Sequence, residues 1–232
     1  MVVVREPGKL LFSGRDSDIF DYGPDLVLRR SRRGRSLATE ARVMRFLRER
    51  GYPAPRVEEL SADGSSLVMQ RIEGPTMLDF LLKHPLTVLR QAARLAELHH
   101  WLHHIPGPDW LDPFLGGGPC IIHRDLHPLN VIMSPHGPVL IDWANVARGV
   151  GSADVALTWL LMTAAEIPGG GSALIGKALR TLFVRSFLAH FELGSVRADL
   201  SSVAEWKCRD QNMRPAEVAA MRRLVKRQSR RL

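Results

Sequence analysis

Three oxygen-bearing side chains stand at spacings that suggest a reaction. The stretch His123-Arg124-Asp125-Leu126-His127-Pro128-Leu129-Asn130 puts a carboxylate five residues ahead of a carboxamide in one polar loop. Val139-Leu140-Ile141-Asp142-Trp143 then delivers a second carboxylate at the end of a short apolar run. Moving a phosphoryl group onto a hydroxyl needs a base aimed at that hydroxyl and oxygen ligands that hold Mg²⁺ on nucleotide phosphates. Asp125 can supply the base, Asn130 one metal ligand and Asp142 the other. The plainer alternative is that all three are turn and cap residues, since turns favour these types. Three fixed polar residues, two spacings and flanking apolar strands together weigh against it.

The elements that must position these residues read as a mixed first part and a helical second part. Leu10-Leu11-Phe12 and Leu26-Val27-Leu28 are short strand candidates, separated by the polar loop Ser13–Asp18 and the turn Asp21-Tyr22-Gly23-Pro24. A helix from about Ser36 to Arg50 carries Leu37, Ala41, Met44 and Leu47 at helical spacing, and Gly51 with Pro53 ends it. Glu40 lies along that apolar stripe, so its carboxylate wants a partner. Strands are expected at Val57–Leu60 and Ser66–Gln70, and Gly74-Pro75 is the break. Beyond it an apolar helix spans about Thr87 to His104 with Thr87 as N-cap. Very short strands at Ile121-Ile122, Val131–Met133 and Val139–Ile141 follow. Helices are expected at 152–165, 172–191, 201–212 and 215–230, with Gly169-Gly170-Gly171 a flexible break and Pro215 in a first turn. The expected class is α+β, with a lobe at 1–73 and a helical lobe at 74–232.

Composition removes other classes. The 232 residues are 45% apolar and 24% charged, the balance of a globular chain with a core rather than a disordered or fibrous one. No apolar run approaches the ~18–20 residues that span a bilayer. Met1–Gly8 lacks a basic leader and a cleavage site, and Cys120 and Cys208 have no metal-ligand spacing, so both are expected to be reduced packing residues in a cytoplasmic protein. The net charge of +8 is concentrated at the end, where the last eleven residues hold Arg222, Arg223, Lys226, Arg227, Arg230 and Arg231 with no acid. This stripe reads as a solvated helix face before an RNA or membrane contact. Without an aromatic-interleaved basic platform, a helix-turn-helix or zinc-finger spacing, a nucleic-acid module is disfavoured.

The catalytic-loop stretch resembles the aminoglycoside phosphotransferase and choline-kinase-like small-molecule kinases, relatives of the protein kinases. His123 to Asn130 fits their His-x-Asp-x-x-x-x-Asn pattern, and Ile141-Asp142-Trp143 fits their Ile-Asp-(Trp/Phe) metal motif. The resemblance runs from about Leu10 to about Glu217. It implies a two-lobed protein-kinase-like fold, with a small antiparallel sheet and a helix in a nucleotide-binding N-terminal lobe. It also implies a Mg·ATP-dependent enzyme that phosphorylates a hydroxyl of a small molecule of aminoglycoside, sugar or amino-alcohol type. By position Arg29 looks like the third-strand cation that holds the α- and β-phosphates, with Arg30 adjacent and the register open, and Glu40 looks like its helix partner. Arg in place of the usual Lys is a departure, though its fork can span phosphate oxygens. Leu67 to Gly74 looks like the interlobe hinge, where backbone groups of Gln70 to Ile72 would take adenine. Ser13–Gly23 holds the place of the phosphate-covering loop without its Gly-x-Gly-x-x-Gly.

Other residues leave choices open. His127 stands where protein kinases carry a Lys near the transferred phosphate, and can either contact that phosphate or orient the loop. His123 reads as a packed anchor. Asp154, in the family's Asp-(Leu/Val)-Ala segment, reads as structural at a helix start. His99, His100, His103 and His104 share helix faces, but zinc is disfavoured because no third ligand lies nearby in sequence. A protein kinase is the nearest competing class, supported by Arg124. Against it, only eleven residues separate Asp142 from Asp154, too few for a peptide-binding activation segment. A degenerate, non-catalytic nucleotide-binding module is the third class. Beyond Trp143, seven acids face fourteen Lys and Arg, which argues against a polycationic acceptor. Oligomeric state leaves no trace in the sequence.

Overall fold

A computed structural model describes residues 6–14, 16–165, 173–211 and 213–229. Contacts divide the chain into two units. One comprises the residues up to Pro75 together with Val131–Val146, and the other comprises Thr76–Asn130 with the residues from Ala147 onward.

In the first unit five strands, β1 (Leu10–Ser13), β2 (Ser17–Asp21), β3 (Leu26–Ser31), β4 (Val57–Leu60) and β5 (Ser66–Gln70), form an antiparallel sheet in the order β1-β2-β3-β5-β4. Strand β2 occupies much of the segment expected to be loop and turn. Its Ser and Asp residues hide Ile19 and Phe20 from a pattern reading, and pairing with all of Val27–Ser31 supplies what local sequence does not. Helix α1 (Ala38–Arg48) buries Glu40, Ala41, Val43, Met44 and Leu47 along the expected stripe. It stops at Gly51, whose φ of +78° is the left-handed turn that glycine permits.

A hairpin of β6 (Val131–Ser134) and β7 (Gly137–Leu140) belongs to this unit. The Met133 N–H donates to the Pro75 carbonyl at 2.8 Å and the Leu140 N–H to the Pro53 carbonyl at 2.9 Å, one anchor from each strand. Gly74 lets the backbones meet: a Cβ there would lie 2.3 Å from the Met133 carbonyl oxygen. After the hairpin, Trp143 is fully buried edge-on against Tyr52, with its Nε1–H on the Leu140 carbonyl.

The second unit opens with α2 (Met77–Lys83), capped by Thr76, whose Oγ1 accepts from the Asp79 N–H at 3.0 Å. This helix was not expected. Helix α3 (Val88–His103) follows a 3₁₀ turn at Pro85–Thr87. Thr87 does not cap it as anticipated, because its hydroxyl donates to the His84 carbonyl instead. Two short strands, β8 (Cys120–Ile122) and β9 (Ala147–Gly149), pair antiparallel, and helices α4 (Gly151–Ala164), α5 (Ala173–Leu188), α6 (Leu193–Cys208) and α7 (Pro215–Gln228) complete the unit. Helix α4 is buried continuously from Ala153 to Leu160 and packs against α3, α5, α6 and α7, so it is the axis of the core. Helix α6 begins eight residues before the expected 201–212 start, at Leu193, because the Glu192 carboxylate accepts from the Gly194 and Ser195 N–H groups and secures a glycine-containing first turn. Both cysteines are free. The expected break at Gly169–Gly171, the residue pair Arg230 and Arg231, and Arg15 of the expected phosphate loop lie outside the described residues. No helix among the described residues is long and apolar enough to cross a membrane.

Candidate active site

Arg29 is on the central strand β3, paired across to Ile19 and Leu67, and is 8% exposed. Such burial of a guanidinium demands partners. It has two: Nη1 lies 3.4 Å from Glu40 Oε2 on α1, and Nη2 donates to Asp142 Oδ1 at 3.0 Å. Arg30, the other candidate register, is exposed and lies over the Phe20 ring. Burial alone would lower the Arg29 pKa, but the two carboxylates outweigh it and hold the group above its usual range. Arg29 Nε is buried and makes no hydrogen bond among the described residues.

Glu40 shows the opposite balance. Burial, aided by Asp142, pushes its carboxyl up to about 7 although Arg29 opposes the shift. Because the folded-state pKa exceeds the unfolded one, this group's stabilising contribution is present at pH 4 and falls as pH rises from about 4.5 to about 7. His99, buried and lowered to about 3, changes stability in the opposite sense over part of that window. The prediction is therefore for a difference. The unfolding free energy of wild type minus that of Glu40→Gln should fall across pH 4.5–7 by up to ~3 kcal/mol. Urea titrations at several pH values measure it, and a flat difference would contradict the shift.

Asp142 itself has φ 63° and ψ 70°, a left-handed conformation that costs a non-glycine residue energy but that Asp tolerates better than most. Its side chain is 42% exposed, and Oδ1 alone is engaged by Arg29. At the end of β5, the Gln70 N–H donates to the Arg56 carbonyl and the Arg71 N–H to the Asp25 carbonyl. The Ile72 N–H has no such partner among the described residues.

The polar loop after β8 is built separately, in the second unit. Asp125 Oδ2 accepts from Asn130 Nδ2 at 3.1 Å, and Nδ2 also donates to the Asp125 carbonyl at 2.9 Å. The amide nitrogen is thus committed, and Asn130 Oδ1, the atom able to ligate a cation, has no partner among the described residues. His127 Nδ1 accepts the Leu129 N–H at 3.3 Å, so in neutral His127 the proton is on Nε2, which faces Asp125 Oδ1 at 3.4 Å. Burial raises the Asp125 pKa, but the His127 hydrogen bond and the charges of His127, His123 and Lys207 outweigh it and keep the carboxyl below its ordinary value. Asp125 is therefore a carboxylate at neutral pH, as a base must be.

Asp154, at the start of α4, explains how the loop keeps its shape. It is fully buried and accepts the Arg124 N–H at 2.7 Å on Oδ1 and the His123 N–H at 3.1 Å on Oδ2. His103 Nε2 lies 3.1 Å from the same Oδ2. These bonds hold Arg124 at φ 63° and let fully buried His123 accept the Asp125 N–H on Nδ1. Thr158 Oγ1 adds a bond to the Leu126 carbonyl at 2.7 Å. His99, His103 and Asp154 bring three ligand-type atoms within 4.8 Å, so the third ligand missing from the local sequence is supplied by the fold. Both oxygens of Asp154 already serve the loop's N–H groups, so hydrogen bonding accounts for the cluster.

Sequence reasoning missed Lys207, whose charge acts on Asp125 from α6, more than eighty residues away in the chain. A single Lys in an amphipathic helix gives no local signal. It also missed the stacking of the Arg124 guanidinium on Phe114 and Trp206, at 5.0 and 5.1 Å from the ring centres.

The sequence profile of the phosphotransferase enzyme family matches residues 12–116 and 109–206. The chain belongs to the phosphotransferase enzyme family. Solved structures agree at the level of fold. A thermostable mutant of aminoglycoside phosphotransferase APH(4)-Ia, in ternary complex with AMP-PNP and hygromycin B, superposes with a TM-score of 0.68 at 16% identity over 96% of this chain and 92% of that one. ADP-bound APH(2'')-Ib gives 0.64 at 15%, covering 97% and 93%. The amicoumacin kinase hAmiN, in complex with AMP-PNP, Ca²⁺ and Ami, gives 0.52 at 12%, covering 96% and 88%. Comparison with curated proteins returned no significant match. The phosphotransferase thus shares the α+β, kinase-like fold of these structures, and its family is one of phosphotransferase enzymes.

Proposed function

We propose that this phosphotransferase moves the γ-phosphate of Mg·ATP to a hydroxyl of a small molecule of aminoglycoside, sugar or amino-alcohol type. The observation that carries the reading is the Asp125–Asn130 pairing: an ionised base whose neighbour donates its amide nitrogen inward and keeps its carbonyl oxygen for a cation. Asp125 accepts or orients the proton of the attacking hydroxyl, and His127 positions that carboxylate. Asn130 and Asp142 would each offer Mg²⁺ an oxygen donor of the kind it prefers. When bound, the ion neutralises charge on the β- and γ-phosphate oxygens. Arg29, braced by Glu40, is the cation that would hold the nucleotide phosphates. At the hinge the Gln70 carbonyl and the Ile72 N–H are the groups offered to adenine, since the Gln70 and Arg71 N–H groups are taken. On this reading residues 1–73 are the nucleotide lobe, and 74–232 carry the catalytic loop and the basic final helix. Most acceleration comes from positioning and electrostatics.

Thermal unfolding with and without Mg·ATP tests the nucleotide half of this reading. At 100 times its dissociation constant a ligand adds about 2.7 kcal/mol, so a shift of several degrees is expected in wild type. Asp142→Asn should lose the Mg-dependent part of it. Equal shifts in the two proteins would remove Asp142 from the metal site, and no shift in either at millimolar nucleotide would favour the non-catalytic module.

A further inference from the structure

One face of helix α4 holds the catalytic loop at two points. Asp154 and Thr158 stand four residues apart, so they share that face, and both are fully buried. The Asp154 carboxylate takes the His123 and Arg124 N–H groups, and Thr158 Oγ1 donates to the Leu126 carbonyl at 2.7 Å. The main chain is thus pinned on both sides of Asp125. A helical threonine commonly turns its hydroxyl to a carbonyl of its own preceding turn. A bond to a carbonyl 32 residues back in the chain serves the loop instead of the helix.

The direction of that hydroxyl is itself fixed. It has one hydrogen, and a carbonyl only accepts, so the Thr158 proton is spent on Leu126. His99 Nε2 lies 3.2 Å from the same Oγ1 and must therefore carry a hydrogen of its own. His99 is neutral, its pKa lowered to about 3, first of all by burial, so its Nδ1 is bare. The surroundings of Nδ1 agree: it makes no hydrogen bond among the described residues and stands 3.6 Å from Asp154 Oδ2, beyond hydrogen-bonding distance. The other tautomer would turn Nδ1–H to Asp154, make Nε2 the acceptor of the Thr158 hydroxyl and take that hydroxyl from Leu126. One buried nitrogen goes unpaired, and the hydroxyl stays on the loop.

We infer that Thr158 is a positioning residue for phosphate transfer: its hydroxyl, aimed by His99 Nε2–H, fixes the Leu126 carbonyl and with it the direction of the Asp125 carboxylate. The inference rests on the phosphotransferase reading and adds to it two buried groups that act through Asp125. A misplacement of about 1 Å can cost ~10²-fold in rate, so a main-chain anchor next to the base has leverage.

The test is ADP release from Mg·ATP in Thr158→Val and Thr158→Ser, with kanamycin, glucose or ethanolamine as acceptor, and with water where none is used. Valine keeps the branched shape and removes the hydroxyl, whereas serine keeps the hydroxyl. Thr158→Val is expected to lower kcat by ~10- to 100-fold while KM for Mg·ATP and the Mg·ATP thermal shift stay as in wild type. Thr158→Ser should retain most of the rate. On an Asp125→Asn background Thr158→Val should cost nothing further, because groups that act as a unit are not additive. In wild type, ¹⁵N NMR of the imidazoles should find the His99 hydrogen on Nε2. Near-normal kcat in a folded Thr158→Val protein overturns the inference, and so does an undiminished further loss on Asp125→Asn. A rate in Thr158→Ser as low as that expected of valine, or a His99 hydrogen on Nδ1, overturns it even where valine does not fold. No thermal shift in wild type, or no ADP release with any acceptor or water, would instead sink the phosphotransferase reading, and the two failures are thereby told apart.

Discussion

Asp125→Asn is expected to lower kcat for phosphate transfer by roughly 10²- to 10⁴-fold, the range for removing a positioned acid–base group. The substitution is nearly isosteric. The Asn130 amide keeps its bond to the main-chain carbonyl of residue 125 and an oxygen acceptor at the side chain, so the loop should hold its form. What is lost is the negative charge that takes the proton, and with it the attraction for His127 Nε2. The Mg·ATP thermal shift should therefore persist while turnover falls. Single-turnover and steady-state measurements on wild type and variant decide the matter; near-normal kcat would remove Asp125 from the role of base. His127→Gln should cost less, since it acts through Asp125.

The second large effect is on stability. Asp154→Ala removes the acceptor for two main-chain N–H groups and the partner of His103, and leaves a void in a fully buried place. Truncating one member of such a buried set costs about 3–5 kcal/mol, which for a chain of this size lowers Tm by roughly 10 °C. The loss has a pH signature. Burial raises the Asp154 pKa, but His103 and the neighbouring histidines overcome it and hold the carboxyl well below its usual range. Its stabilisation is then present above the ordinary carboxylate range and is lost only as pH falls through the depressed folded value. Wild type and variant should converge in strong acid and stay apart from pH 5 upward. Activity should fall further than stability explains, because the Asp154 carboxylate accepts the Arg124 N–H and so helps hold Arg124 at φ 63°. A Tm change of a degree or two would mean that the loop is held by other contacts.

These expectations depend unequally on sequence and fold. The loop from His123 to Asn130 was legible because its chemistry is local: Asp125, His127 and Asn130 bond one another across five residues or fewer, and spacing alone can encode that. The buried stripe of α1 was legible too, since helical periodicity put Glu40 among Leu37, Ala41, Met44 and Leu47. The same local logic found β4 and β5 to the residue. The need of Glu40 for a partner followed from elementary electrostatics, whereas the partner's identity did not.

Only the tertiary structure decided which cation meets Glu40. Arg29 and Arg30 are equivalent in sequence, and pairing of β3 with both β2 and β5 turns one inward and the other out. It alone joined Arg29 to Asp142, 113 residues away, and brought residues 131–146 back to the first unit through two backbone hydrogen bonds at Pro53 and Pro75. Strand β2 and the start of α6 escaped for a related reason. One depends on backbone pairing with its neighbours β1 and β3 and the other on a cap outside the periodic segment, and hydrophobic spacing records neither. The sequence by itself determined which groups can do the chemistry; the long-range packing determined which charges surround them.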